Sequence, residues 1–164
     1  MRGTDILTGW KMKRISLLAI PLALAAVTAL AHGGATGIVK ERMDQMVAIS
    51  KAMKAIGAML KGAEPYDAGR VRSLATEIGQ MGGSHLTELF PDGSLDKPTE
   101  ALPEIWTDWS RFEQQAADMQ RAALALADGA DLPRSRTDPQ SPDLLFRELG
   151  ATCKGCHEDF RIEK

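Results

Sequence analysis

The sequence predicts an all-α fold, an antiparallel four-helix bundle with one long connection. Three observations predict it: four stretches whose apolar residues follow a helical spacing, Gly and Pro punctuation between those stretches, and no convincing strand pattern. The chain has 164 residues, which is room for one domain of ordinary size. Four amphipathic helices without strands are best buried by packing against one another in a bundle.

The N-terminal stretch is an exception to this pattern and is interpreted as an export signal. The run "MKRISLLAIPLALAAVTALA" has two cations, an apolar stretch, and then Ala29-Leu30-Ala31, the small-residue pattern of a signal-peptidase site. We therefore expect residues 1–31 to be a signal peptide, with Met12 as a plausible true start, and residues 32–164 to form the bundle in the periplasm. The alternative is an N-terminal membrane anchor, although the apolar run is short for a span and contains Pro21.

The first two helices follow from the periodicity of their apolar residues. A helix is predicted from Ile38 to Lys61, where apolar residues recur at every seventh position, as in a bundle seam. These residues are Val39, Met46, Met53 and Leu60, with Met43 and Ile56 between them. Asp67 suits the N-cap of a second helix, which Gly82-Gly83 ends.

The last two helices follow a long crossover loop that begins near Ser84. Pro103 suits the first position of the third helix, and Asp128-Gly129 closes it. Its apolar stripe is Ile105, Trp109, Phe112, Ala116, Met119, Ala123 and Leu126. A polar, Pro-rich link of unusual length leads to Ser141-Pro142, which caps the fourth helix. One face of that helix carries Leu145, Leu149, Cys153, Cys156 and Phe160.

The strongest chemical signal is the pentapeptide Cys153-Lys-Gly-Cys156-His157 in the last helix. It contains both cysteines and one of the three histidines of the chain. Cys-x-x-Cys-His is the attachment signature of c-type haem, because two thiols one helical turn apart can add to the two vinyl groups of one porphyrin edge. Cys153 and Cys156 are then the thioether anchors of one haem c, and His157 is the proximal iron ligand.

Three other interpretations of the pentapeptide remain open at this point. A zinc site would need more ligands than the isolated His32 and His85 provide. A thioredoxin-like redox pair normally sits at a helix N-terminus, whereas this pair lies well inside a predicted helix. A structural disulfide across so short a loop would constrain little of the unfolded chain.

The net charge of the exported chain limits the classes of macromolecule that it is expected to bind. Removing residues 1–31 leaves 16 basic against 21 acidic residues, a net charge of −5. This balance argues against nucleic-acid binding, which needs a basic footprint, and favours a basic docking surface on a partner protein.

Several stretches together resemble the cytochrome c′ family, including its low-spin branch with two axial ligands. They are "KERMDQM", "KGAEPYD", "LFPDG", "PEIWTDW" and "CKGCHEDFR", and the resemblance runs from about Ile38 to Arg161. It implies that Arg42 approaches a haem propionate and that Met46, one turn later, faces the iron on the distal side. It also places Arg161 near the proximal pocket. From periodicity alone, Met46 is as well explained by packing, because this helix uses methionine freely.

The resemblance implies two functions that differ in the role of Met46. If Met46 binds the iron opposite His157, the site is six-coordinate and the protein is a periplasmic electron carrier, not an enzyme, that serves redox partner proteins. If Met46 only crowds the distal face, the iron is five-coordinate and binds NO or CO. His85 is a weaker candidate for the sixth ligand. Family members are often dimers through their first two helices, so a homodimer is a further expectation.

Overall fold

The computed structural model describes residues 34–162, and these residues form six helices. The predicted signal peptide, the possible start at Met12 and His32 lie outside the described residues. In chain order the helices are α1 Gly37–Leu60, α2 Ala68–Gln80, α3 Ser84–Thr87, α4 Glu104–Thr107, α5 Trp109–Gly129 and α6 Pro142–Phe160. Residues 34–162 contain no strand, and none of their helices is long and apolar enough to cross a membrane.

The four long helices, α1, α2, α5 and α6, enclose one apolar core. α5 lies at its centre and packs against both α2 and α6, while α1 packs against α2. The largest completely buried side chains belong to all these helices and to α4; they are Ile56, Met59, Val71, Ile78, Ile105, Leu126 and Leu149. Burying each such side chain contributes about 1.5–3 kcal/mol, so this core holds the bundle together.

Side-chain caps fix the start of two of the long helices as the sequence predicts. The carboxylate of Asp67 accepts a hydrogen bond from the backbone N–H of Arg70, which starts α2. Ser141 caps α6 in the same way, with Pro142 at the first helical position. A cap of this kind stabilises a helix by about 1 kcal/mol, because it satisfies an N–H group that has no partner within the helix.

Two parts of the predicted secondary structure are wrong in detail. The crossover, predicted as loop from Ser84 onward, begins with the short helix α3. The third predicted helix is interrupted at Asp108, whose backbone (φ −125°, ψ 50°) is not helical and separates α4 from α5. Aspartate is prone to leave helical geometry because its side chain competes for nearby backbone groups, and the apolar spacing continues through the break without recording it.

The long link before α6 is fastened to the end of α1 by Arg134. Its guanidinium makes two hydrogen bonds to the carboxylate of Asp143, at 2.9 and 2.7 Å, and a third to the carbonyl of Leu60. Because Leu60 ends α1 and Asp143 begins α6, the C-terminal end of α1 lies beside the N-terminal end of α6. The two helices therefore run antiparallel.

At the other end of the bundle, the crossover joins the last residues of α6. The N–H of Leu102 donates to the carbonyl of Phe160 at 3.0 Å, and the N–H of Ile162 donates to the carbonyl of Glu100 at 2.9 Å. Phe160 is buried and its ring lies 5.4 Å from that of Phe112. The crossover is thus held against the C-terminal turn of α6.

Candidate functional site

The last two turns of α6 present both thiols and the imidazole of the pentapeptide. Cys153 and Cys156 are half-buried and pack against the apolar core, one helical turn apart, whereas His157 is exposed. The core face of α6 continues through Leu149 and Phe160, so the periodicity of the helix turns the thiols inward. The structure therefore brings the three predicted groups together on one side of α6.

Burial keeps both thiols in the protonated form at neutral pH before any group is attached. Burial raises the pKa of Cys153. Burial, together with the neighbouring Cys153 and Asp159, raises the pKa of Cys156 to about 11. A thiol-disulfide enzyme needs a thiolate, which requires a lowered pKa, so this environment does not suit such an enzyme.

The imidazole of His157 faces a charged pair at the end of α6. Its Nδ1 lies 3.5 Å from a guanidinium nitrogen of Arg161, and Arg161 donates from Nε to the carboxylate of Glu100 at 2.9 Å. Burial of part of the ring and the charge of Arg161 lower the pKa of His157, and Glu100 opposes them. A neutral imidazole is the form that binds a metal.

Arg42 and Met46 lie one turn apart on α1, on the side of that helix nearest the core. Met46 is half-buried and packs against the same core cluster as Cys153 and Cys156. Arg42 is buried, with 4% of its surface exposed, and binds the crossover. Its guanidinium donates to the hydroxyl of Ser94 at 3.2 Å, to the carbonyl of Ser94, and to the hydroxyl of Thr99 at 3.2 Å.

These bonds occupy part of the Arg42 guanidinium. Burial lowers the pKa of Arg42, although Asp96 opposes the shift, and the group remains a cation. The guanidinium carbon lies 4.8 Å from the centre of the Phe90 ring, within the range of a cation–π contact. Of its five N–H donors, the one on Nε and one on Nη1 are not used by Ser94 or Thr99.

The chain is similar in sequence to a known protein family. The family model described as Cytochrome C′ matches residues 37–161. The chain belongs to the cytochrome c′ family. Cytochrome c-554 of Cereibacter sphaeroides is 32% identical over 155 residues, covering 92% of this chain and 98% of that relative.

Solved structures of the cytochrome c′ family confirm the four-helix bundle. Cytochrome c′ from Rhodopseudomonas palustris has a TM-score of 0.68 at 30% identity and covers 79% of this chain and 99% of its own. A variant of cytochrome c prime from Alcaligenes xylosoxidans, solved as its nitric oxide complex, has a TM-score of 0.64 at 27% identity. The latter covers 77% of this chain and 94% of its own.

Covalent haem c is the cofactor of the cytochrome c′ family, and the donor set of α6 fits it. Two protonated thiols spaced by one turn and a neutral imidazole beside them are the groups that c-type attachment requires. Among residues 34–162, no group of three or more His, Cys, Asp or Glu side chains is arranged to hold a metal ion by itself.

Sequence reasoning missed several residues that build this site. Glu100 holds Arg161 beside His157. Trp106 had no predicted role, yet its indole N–H donates to the carbonyl of Phe90 at 3.2 Å and fixes the crossover against α4. These partners come from a loop without periodicity, so no pattern could have found them. His85 lies exposed on α3, which packs against α5.

Proposed function

We propose that this member of the cytochrome c′ family is a periplasmic electron carrier whose haem c is attached at Cys153 and Cys156 and whose iron is bound by His157 and Met46. The haem would supply a one-electron iron couple. Cys153 and Cys156 would hold it, and His157 and Met46 would bind its iron.

The register of α1 and α6 carries this proposal. The two helices approach each other at Gly57 and Phe146, where a Cβ atom on Gly57 would lie 3.4 Å from Cζ of Phe146. Met46 precedes Gly57 by eleven residues, and His157 follows Phe146 by eleven. Because the helices are antiparallel, Met46 and His157 stand at the same height, about three turns from that contact.

The same register supports a common direction for the side chains of Met46 and His157. Eleven residues advance an α-helix by about three full turns, so Met46 lies on nearly the same face of α1 as Gly57, and His157 on nearly the same face of α6 as Phe146. Gly57 and Phe146 touch across the interface, so Met46 and His157 lie on the faces that these helices turn toward each other. A thioether and an imidazole so placed would both be available to bind the iron of one haem.

Arg42 supports a haem in this position. It lies one turn before Met46, and its two unused N–H donors can bind a propionate, for which a guanidinium is a good partner. A six-coordinate iron with a methionine ligand has a raised potential and no open position, which suits electron transfer rather than ligand capture.

The second candidate is a five-coordinate protein that binds NO or CO. It is favoured by the nitric oxide complex of the Alcaligenes xylosoxidans relative. In this case Met46 packs beside the iron without binding it, as methionines often pack in irregular interiors.

Optical spectra of the holoprotein, recorded with and without CO, separate the two candidates. The wild type is expected to give a low-spin spectrum, with a weak far-red band of methionine-ligated ferric haem, and to be unchanged by CO. Met46→Leu is expected to lose that band and to bind CO. Met53→Leu is the matched control, because Met53 is a half-buried methionine seven residues later on the same seam, and it should resemble the wild type. A wild type that is high-spin and binds CO would replace this proposal with the second candidate.

A further inference from the structure

A groove of about 420 Å³ lies between α1 and α6, on the side of the bundle where these helices approach each other. Its floor is apolar and formed by Met53, Gly57 and Phe146, while Lys54 and Lys61 line its edge. Both lysines are exposed. The groove therefore combines an apolar floor with a cationic rim.

The positive charge in and around the groove comes from cations that have no ion-pair partner. Lys51, Lys54, Lys61 and Arg147 are exposed and form no ion pair with any of residues 34–162. On α6, Glu148 lies beside Arg147, is exposed and forms no ion pair within residues 34–162, whereas the other carboxylates of this helix are paired. Asp143 is paired with Arg134 at 2.7 Å, and Glu158 is paired with Lys154 at 3.0 Å.

The groove is close to the proposed haem site along both helices. Phe146 precedes Cys153 by seven residues on the same face of α6, and Met53 follows Met46 by seven residues on α1. Seven residues are two turns, or about 10 Å along a helix axis. The near end of the groove, at Met53 and Phe146, therefore lies about 10 Å along the helix axes from Met46 and from Cys153.

We propose that this cationic groove is the docking surface for an acidic patch on a redox partner protein. This inference rests on the electron-carrier function proposed above. A haem held by Cys153, Cys156 and His157 would supply one electron to the acceptor, with its own iron oxidised from ferrous to ferric and no proton transferred. The net charge of the chain favours a basic partner, but the local charge decides the orientation, because exposed charges beyond about one Debye length are screened.

Electron transfer to two small oxidants of opposite charge tests the proposal. The reduced holoprotein is mixed with ferricyanide, whose negative charge stands in for a carboxylate patch, and separately with tris(phenanthroline)cobalt(III), a cation. Rates are measured by stopped flow at an ionic strength of about 10 mM, where the Debye length is roughly 30 Å. The variants are Lys54→Glu on α1 and Arg147→Glu on α6. Arg121→Glu is the matched control, with the same change of charge on the outer face of α5.

Lys54→Glu and Arg147→Glu are each expected to lower the rate of electron transfer to ferricyanide about tenfold and to raise the rate of electron transfer to the cobalt complex. Arg121→Glu is expected to change either rate less than about threefold. A change in the reduction potential of the haem would change the rates with both oxidants in the same direction. Rates that change in opposite directions therefore identify an electrostatic effect on docking. Equal effects of the three variants would overturn the docking surface. The optical spectrum tests the electron-carrier proposal separately, since a high-spin, CO-binding wild type would refute that proposal whatever the rate ratios are.

Discussion

Replacing Arg42 tests how the crossover is fastened over the proposed site. Arg42→Met keeps an apolar chain of similar length but removes three hydrogen bonds to Ser94 and Thr99 and the contact with the Phe90 ring. Three bonds from a cation contribute about 4 kcal/mol and the ring contact about 1 kcal/mol. Removing a buried guanidinium returns roughly 2 kcal/mol of desolvation cost. The expected loss is about 3 kcal/mol.

Urea unfolding of the holoprotein, followed by circular dichroism, measures this loss. Lys40→Met is the control on the same helix. Lys40 is exposed and, within residues 34–162, is paired with Asp44 alone, so its replacement should change the free energy of unfolding by less than about 0.5 kcal/mol. A loss below about 1 kcal/mol for Arg42→Met would refute the reasoning.

A double-mutant cycle with Thr99→Val separates the crossover bond from any contact between Arg42 and a propionate. If Arg42 and Thr99 are bonded as described, their coupling is about 1 kcal/mol, because the single variants remove the same interaction. A coupling near zero would show that Arg42 stabilises the protein through other partners.

Two further predictions concern the stability of the bundle. The Arg134 hydrogen bonds lower the pKa of Asp143 below its usual 3.8, so their stabilisation is complete above that pH and is lost as pH falls through the lowered value. Asp143→Asn is therefore expected to unfold more easily in urea at pH 7, by about 0.5–1 kcal/mol, with the difference disappearing at acid pH; a difference independent of pH would contradict this. Gly83 (φ +58°) would place a Cβ 2.6 Å from Oε1 of Gln120, whereas Gly93 (φ +73°) has open space. Thermal unfolding should show that Gly83→Ala costs about 2–3 kcal/mol and Gly93→Ala about 1 kcal/mol, and equal costs would show that packing at Gln120 adds nothing.

The long helices and the cysteine pentapeptide were predictable because their sequence signals are local. The apolar seam of α1, the caps at Asp67 and Ser141 and the pentapeptide in α6 all depend on neighbours within a few residues, which a sequence displays directly. The family resemblance then supplied Arg42 and Met46 on α1, and their roles toward the haem remain predictions.

The irregular part depends on partners that are distant in the chain. Arg42 reaches Ser94 and Thr99, which follow it by 52 and 57 residues, and Arg161 reaches Glu100 across 61 residues. Nothing in the local sequence of the crossover marks these residues as partners. The break at Asp108 was hidden for a different reason, since the apolar spacing on either side of it is that of one continuous helix.

A small tilt of α1 about the contact between Gly57 and Phe146 would be amplified at Met46. The eleven residues from Gly57 back to Met46 make an arm of about 16 Å, so a tilt of about 5° at the contact displaces Met46 by roughly 1.4 Å. A metal–ligand bond tolerates only about 0.2 Å. If Met46 binds the iron, the volume of the side chains at Gly57 and Phe146 would therefore bear on that bond, although they lie three turns from it.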